Sequence, residues 1–322
     1  MRSIRISLCL IIVSIYSTAF AQAPKPVAEV THAVIISVDG MRPDLALRAD
    51  MPNMRKMLER GSFSFWARTT EASVTLPSHT SMLTGVPPQI HGILFNDDGP
   101  AETVHPKVPS IFEYAKKAGF TTAMAAGKSK FRVIALPESL DYSDIPLRGK
   151  SGDNLSATRA AVQMIRDHQP GLLFLHLTTS DAVGHGKGWG TQEQMAVFAE
   201  ADKCLGEVFT ALDDQKLTAS TLVILTADHG GRQKWHGAND ARARHIPWIV
   251  VGPGIRAGLD LDSIREEQVN IEDTFATACT MLGLEPATPI TGKMVWEILQ
   301  NQPATAKPQV QTVPVAPAAV AR

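Results

Sequence analysis

The segment HAVIISVD, residues 32–39, runs apolar for most of its length and then stops on an aspartate. Continuous Val/Ile runs of this length read as strands buried on both faces, the pattern of a parallel sheet covered by helices. GLLFLHLTTSD (171–181) and STLVILTAD (220–228) repeat it, each closing on an acid. IPWIVVG (246–252) and FTTAMAAG (120–127) read as further strands. Between them MPNMRKMLERG, PSIFEYAKKAG, NLSATRAAVQMIRDH and TQEQMAVFAEADKCLGEVFTALDD carry helical apolar spacing. VNIEDTFATACTMLGL reads as a closing helix in which Asp273 caps or solvates. Alternating strand and helix predicts an α/β fold, a three-layer α/β/α sandwich with a central, mostly parallel sheet.

The three terminal acids carry the first functional signal. Ligands in open α/β sheets bind outside the carboxyl ends of the strands. Asp39, Asp181 and Asp228 gathered there would repel one another without a positive charge between them. Histidines stand beside them: His185 four residues after Asp181, His229 directly after Asp228, and His236 in KWHGAND. His245, ahead of IPWIVVG, rivals His236, which the loop after D-H-G leaves freer to reach a metal. Imidazole and carboxylate together suit zinc better than magnesium.

The ends and the composition bound the rest. MRSIRISLCLIIVSIYSTAFAQ has Arg2 and Arg5, an apolar run and Ala19-Phe20-Ala21, the layout of a secretory signal peptide over residues 1–21. The run is short for a membrane span and is broken by Ser7, Ser14, Ser17 and Thr18, so no anchor is expected after cleavage. The expected location is a periplasm or the extracellular space. Residues 22–300 suffice for one large catalytic domain; 301–322, rich in Pro, Ala, Val and Gln, reads as a disordered or extended tail. Cys204 and Cys279 remain after cleavage and read as buried thiols. A formal charge of −1 argues against a nucleic-acid surface.

EASVTLPSHTSMLTG (71–85) places Thr75 ahead of a short helix expected near Ser78. A threonine there serves either as a helix cap or as a nucleophile facing an anion. VDGMRPD, TLPSHTSMLTG, HGILFND, DAVGH, ADHGG and HGAND before VVGPGI, taken in order, resemble the alkaline phosphatase superfamily. Within it they are most similar to the type I phosphodiesterase/nucleotide pyrophosphatase branch. The resemblance implies two zinc ions, one held by Asp39, Thr75, Asp228 and His229, the other by Asp181, His185 and His236. It also implies that Asn96 donates to a phosphoryl oxygen, although FNDDGP is equally good turn chemistry. Thr75 would then attack phosphorus and form a phospho-threonine. In sulfatases a C-x-P-S-R signature overlays TLPSH; Thr75 and His79 replace its Cys and Arg, and threonine cannot yield formylglycine.

The ester is less sharply marked. Leu76 follows Thr75 where nucleotide pyrophosphatases usually carry an aromatic residue, and the loop from His229 to His236 is short. AAGKSKFRVIALP (125–137) resembles a Lys-x-Lys or Lys-x-Arg segment of monoester- and phosphonate-cleaving relatives. Lys128, Lys130 and Arg132 would bind substrate, or form a solvated basic turn. Trp189 and Trp235 line the pocket or pack. The expected substrate is a small phosphate ester, with a phosphodiesterase leading. The alternatives are a phosphate monoesterase or phosphonate hydrolase, and a catalytically silent ligand-binding member of the same fold.

Overall fold

A computed structural model describes residues 23–98, 104–237 and 239–301. The segment read as a signal peptide and the tail from residue 302 onward lie outside the described residues. The strands are β1 (His32–Val38), β2 (Ser62–Arg68), β3 (Thr122–Ala126), β4 (Tyr142–Asp144), β5 (Leu172–Leu177), β6 (Thr221–Thr226), β7 (His245–Val251) and β8 (Leu259–Asp260). They form one sheet in the order β4-β3-β5-β1-β6-β7-β2-β8. β4, β3, β5, β1 and β6 run parallel, and β7 is reversed against both β6 and β2.

β1 is the central strand. Ile35 pairs with Phe174 on one side and with Ile224 on the other, and all three are fully buried. Continuous apolar runs in β1, β5 and β6 follow from this position, because both faces of each strand are covered.

The helices are α1 (Pro43–Arg48), α2 (Pro52–Arg60), α3 (Thr75–Thr84), α4 (Pro88–His91), α5 (Ile111–Lys117), α6 (Asn154–His168), α7 (Thr179–Lys187), α8 (Gln192–Asp214), α9 (Ala241–Arg244) and α10 (Asp273–Leu282). α2, α6 and α8 pack together on one face; α3 and α10 pack on the other, with α5 beside them through Tyr114 and Phe275. The expected sandwich is therefore the observed one. Cys204 and Cys279 are buried free thiols. Among the described residues no helix is long and apolar enough to cross a membrane.

Two local expectations are corrected. Asp181 does not end a strand: β5 stops at Leu177 and Asp181 sits in the first turn of α7, because the Thr-Thr-Ser that follows β5 turns directly into helix. α3 begins at Thr75 rather than near Ser78, and Ser78 N already donates to Val74 O. Val74 rather than Thr75 occupies the N-cap, and the Thr75 hydroxyl faces His229 and Lys128. β2 was not foreseen; its alternation of buried and open positions ends in an arginine and lacks the continuous apolar run.

α3 is stopped by Gly85, whose φ of 71° lies in the left-handed region. A Cβ at Gly85 would come within 2.5 Å of Phe275 Cδ1, so glycine is needed both for conformation and for the seating of α3 on α10. Gly85→Ala should lower stability by about 2 kcal/mol or more, a drop of roughly 5 °C in Tm. An unchanged thermal melt would show that α3 can shift on α10 at no cost.

Asp273, at the start of α10, is buried and accepts backbone N–H groups of Asn270 and Lys293 at 2.9 and 2.7 Å. Burial outweighs these bonds and pushes its carboxyl from 3.8 up to about 6. The folded state therefore holds a proton that the unfolded state has released. That contribution is complete below about pH 4 and disappears as pH rises through 6. In urea denaturation, wild type should lose about 2–3 kcal/mol relative to Asp273→Asn between pH 4 and 7. Parallel pH profiles for the two proteins would contradict it.

Candidate active site

The parallel neighbours β3, β5, β1 and β6 end on the same edge of the sheet, and each delivers a polar residue there. Lys128 follows β3, Asp181 follows β5, Asp39 directly follows β1, and Asp228 lies just past β6. Asp39 N pairs with Leu177 O, which continues the β1–β5 ladder up to the carboxylate residue itself. Thr75 reaches the same point from the α3 layer.

The first group centres on His229 Nε2. Asp228 Oδ2 lies 3.2 Å away, Thr75 Oγ1 3.4 Å and Asp39 Oδ1 3.5 Å. His229 Nδ1 faces Gly230 O at 2.8 Å; a carbonyl only accepts, so the proton is on Nδ1 and Nε2 is a lone pair. Asp228 spends Oδ1 on the N–H groups of Gly40 and His229, at 3.1 and 2.9 Å.

The second group is Asp181, His185 and His236. The two Nε2 atoms face each other at 2.9 Å, and both stand 3.4–3.5 Å from Asp181 Oδ1. His185 Nδ1 donates to Lys234 O and His236 Nδ1 to Ser73 O, at 3.0 and 2.9 Å. With both Nδ1 atoms protonated, two lone pairs oppose each other unless a cation lies between them. A proton is a poor candidate, since burial lowers the pKa of His236. Burial and the neighbouring His236 likewise lower His229, to about 4.

Both groups therefore fit a metal ion. Asp39 Oδ1, Asp181 Oδ1 and Asp228 Oδ2 are buried and have no hydrogen-bond partner, and these are the oxygens that face the imidazoles. Asp181, His185 and His236 form one candidate ligand set, and Asp39, Asp181 and His229 another. Burial and then the charges of Asp39 and Asp181 push the Asp228 carboxyl well above its usual range. A bound cation would reverse that shift.

Lys128 stands between the groups. Its Nζ lies 2.6 Å from both Asp39 Oδ2 and Asp181 Oδ2, and 3.4 Å from Thr75 Oγ1. Burial opposes its charge, but Asp39, Asp181 and Asp228 hold the ammonium above its ordinary pKa. Lys130 donates to the backbone and side-chain oxygens of Asn96. Asn96 Oδ1 in turn accepts Leu76 N at 2.8 Å, which orients the carboxamide beside Thr75.

Arg132 is not brought to the cluster. Its guanidinium binds Ile145 and Pro146 carbonyls, because the 3-10 turn Ser129–Val133 directs successive side chains apart. His245 also stays away, stacked on Trp66 with ring centroids 3.8 Å apart. Trp189 is buried and bonds Gly40 O, whereas Trp235 is 55% exposed. A cavity of about 750 Å³ lined by residues of α2 and α8 contains none of these residues.

Two buried histidines beside the site have no role assigned from sequence, His79 being named only as the counterpart of the sulfatase arginine. His79 bonds Thr75 O and Ser37 Oγ, each at 2.8 Å, and His176 bonds Asp39 Oδ2 at 2.9 Å. The signals were available: His79 is one helical turn after Thr75, and His176 interrupts an apolar strand.

The profile of the type I phosphodiesterase/nucleotide pyrophosphatase family matches residues 33–234. The chain belongs to that family. The phosphopentomutase of Herpetosiphon aurantiacus is 27% identical over 180 residues, 56% of this chain and 41% of that protein. Human ectonucleotide pyrophosphatase/phosphodiesterase family member 1 is 24% identical over 227 residues, 64% of this chain and 24% of that protein. The chain thus spans less than half the length of these relatives. Among solved structures, murine ectonucleotide pyrophosphatase/phosphodiesterase 5, an inactive variant in complex with AMP, superposes with a TM-score of 0.69 at 15% identity. The match covers 84% of this chain and all of that one. A 2-O GAG sulfatase superposes at 0.65 with 14% identity, over 83% and 74% of the two chains. The fold is that of the alkaline phosphatase superfamily.

If the two groups hold metal, a divalent cation at about 100 times its Kd should stabilise the chain by about 2.7 kcal/mol, some 5–10 °C in Tm. Chelation should remove that rise, and His236→Ala should lose most of it. A melt indifferent to zinc, manganese and chelator would contradict the assignment.

Proposed function

We propose that the chain is an exported, zinc-dependent phosphoric ester hydrolase with Thr75 as its nucleophile. The observation that carries this reading is the Thr75 hydroxyl. It is buried, sits one residue past the N-cap Val74, and lies 3.4 Å from both His229 Nε2 and Lys128 Nζ. Asp39, Thr75, Asp228 and His229 would hold one ion, and Asp181, His185 and His236 the other. Bound zinc supplies acidity to a coordinated hydroxyl or water and stabilises a departing oxygen.

The residues then divide the reaction. Thr75 Oγ attacks phosphorus, the bond to the leaving oxygen breaks, and phospho-threonine remains. Water attacks the same phosphorus, the Oγ–P bond breaks, and Thr75 recovers its proton. Lys128 offsets negative charge on the phosphoryl oxygens while its own contacts to Asp39 and Asp181 keep it in place. Asn96, oriented by Leu76 N and Lys130, is the candidate donor to a non-bridging oxygen. Residues 1–21, with Arg2, Arg5 and Ala19-Phe20-Ala21, support export.

A phosphodiester is the leading substrate on family grounds. The two ammonium groups at Lys128 and Lys130 favour a second reading, a dianionic monoester or phosphonate.

The test compares bis-p-nitrophenyl phosphate with p-nitrophenyl phosphate on the zinc-loaded protein. Diester turnover should exceed monoester turnover, and Thr75→Ala should lower kcat about a thousandfold or more. Faster monoester turnover would select the second reading. Near wild-type turnover in Thr75→Ala would remove threonine from the mechanism.

A further inference from the structure

His176 lies on β5, completely buried in an otherwise apolar run. The two sides of its ring face different partners. Gly127 N, which also donates to the backbone oxygen of His176, approaches Nδ1 at the same 3.3 Å, and that second approach requires a lone pair on Nδ1. The proton is consequently on Nε2, and Nε2 donates to Asp39 Oδ2 at 2.9 Å.

The consequence falls on Asp39. With Oδ2 held by His176 and Lys128, the carboxylate turns Oδ1 towards His229 Nε2, and Oδ1 has no protein hydrogen-bond donor. A free carboxylate could rotate about its Cβ–Cγ bond and exchange the two oxygens. Here the imidazole on one side prevents it. Gly127 immediately precedes Lys128, so the same ring ties Asp39 to the segment that carries the ammonium. Phe131 and His79 pack on the ring with centroids 4.4 and 4.9 Å away, which fixes its plane.

We propose that His176 is a positioning residue for the metal site. It orients Asp39 so that one oxygen is presented to the cation, and it sets the distance from Asp39 to Lys128. The inference rests on reading Asp39 as a ligand. Hydrogen bonds to ligating groups of this kind typically contribute 10–100-fold in metal affinity.

The two ring nitrogens can be replaced separately. In His176→Gln the amide nitrogen reaches the place of Nε2 and keeps the bond to Asp39. In His176→Asn the carbonyl oxygen takes the place of Nδ1 and keeps the bond from Gly127, while Asp39 loses its donor. His176→Phe keeps the bulk and neither bond. Zinc affinity, read by competition with a chromophoric chelator, should remain within about threefold of wild type in the Gln variant. It should fall about 10–100-fold in the Asn and Phe variants. Thermal melts of the zinc-free proteins accompany the titrations, because a general loss of packing would lower Gln and Asn alike.

Equal zinc affinity in the Gln and Asn variants, whether high or low, would overturn the proposal. A wild-type protein that binds no zinc would overturn the reading of Asp39 as a ligand, and this proposal with it. The activity assay then adds a separate readout: the Asn variant at saturating zinc should lose kcat with little change in KM, since Asp39 acts on the reacting centre and not on the rest of the ester.

Discussion

Three carboxylates converge at one edge of the sheet, and much of the local architecture exists to make that tolerable. Asp39, Asp181 and Asp228 are buried, and Lys128 is the one ammonium the described residues place in direct contact with them. Burial keeps His229, His236, His176 and His79 short of protons, so they do not supply the missing charge. Burial, and then the charges of Asp39 and Asp181, push the Asp228 carboxyl well above its usual range, whereas Lys128 and His176 outweigh burial at Asp39 and hold it low. Bound divalent cations would offset the carboxylates and turn the site electropositive, and an anionic ester would then be attracted where the bare acids repel it.

The protein draws the clustered side chains from different segments and ties them to backbone. Asp39 extends the β1 ladder. Asp228 is held by the N–H groups of Gly40 and of His229. His185, His229 and His236 each point Nδ1 at a carbonyl, which leaves every Nε2 as a lone pair facing the centre. Those carbonyls belong to Lys234, Gly230 and Ser73, so the short loop after His229 orients two of the three imidazoles. A turn closed by Arg232 and Trp235, with Trp189 N bound to Gln233 O, keeps the loop in place. Compact length here is a means of precision, because few residues separate the ligands from their supports.

Much of this could be read before any coordinates. Apolar runs interrupted by acids gave the parallel sheet and its active edge, since burial on both faces imposes a composition that survives in sequence. The spacing of Asp181 and His185, and the pairing of Asp228 with His229, are local and equally visible. What could not be read is contact between distant segments. His236 and His245 are indistinguishable as letters; only the course of the loop takes one to Asp181 and the other to Trp66. Lys128, Lys130 and Arg132 differ solely in where a 3-10 turn directs them.

Thr75 shows the same limit from the other side. A threonine at a helix start is good capping chemistry, and propensity alone favours the cap. The structure assigns the start of α3 to Thr75 itself, with Val74 outside it, so the hydroxyl is released from the backbone. His79, one turn later, takes Thr75 O and bonds Ser37 on β1 with its other nitrogen. That pairing ties the helix start to the strand that ends in Asp39. Thr75 and Asp39 are therefore positioned by a single connected framework, and the place of the Thr75 hydroxyl is set by protein contacts alone.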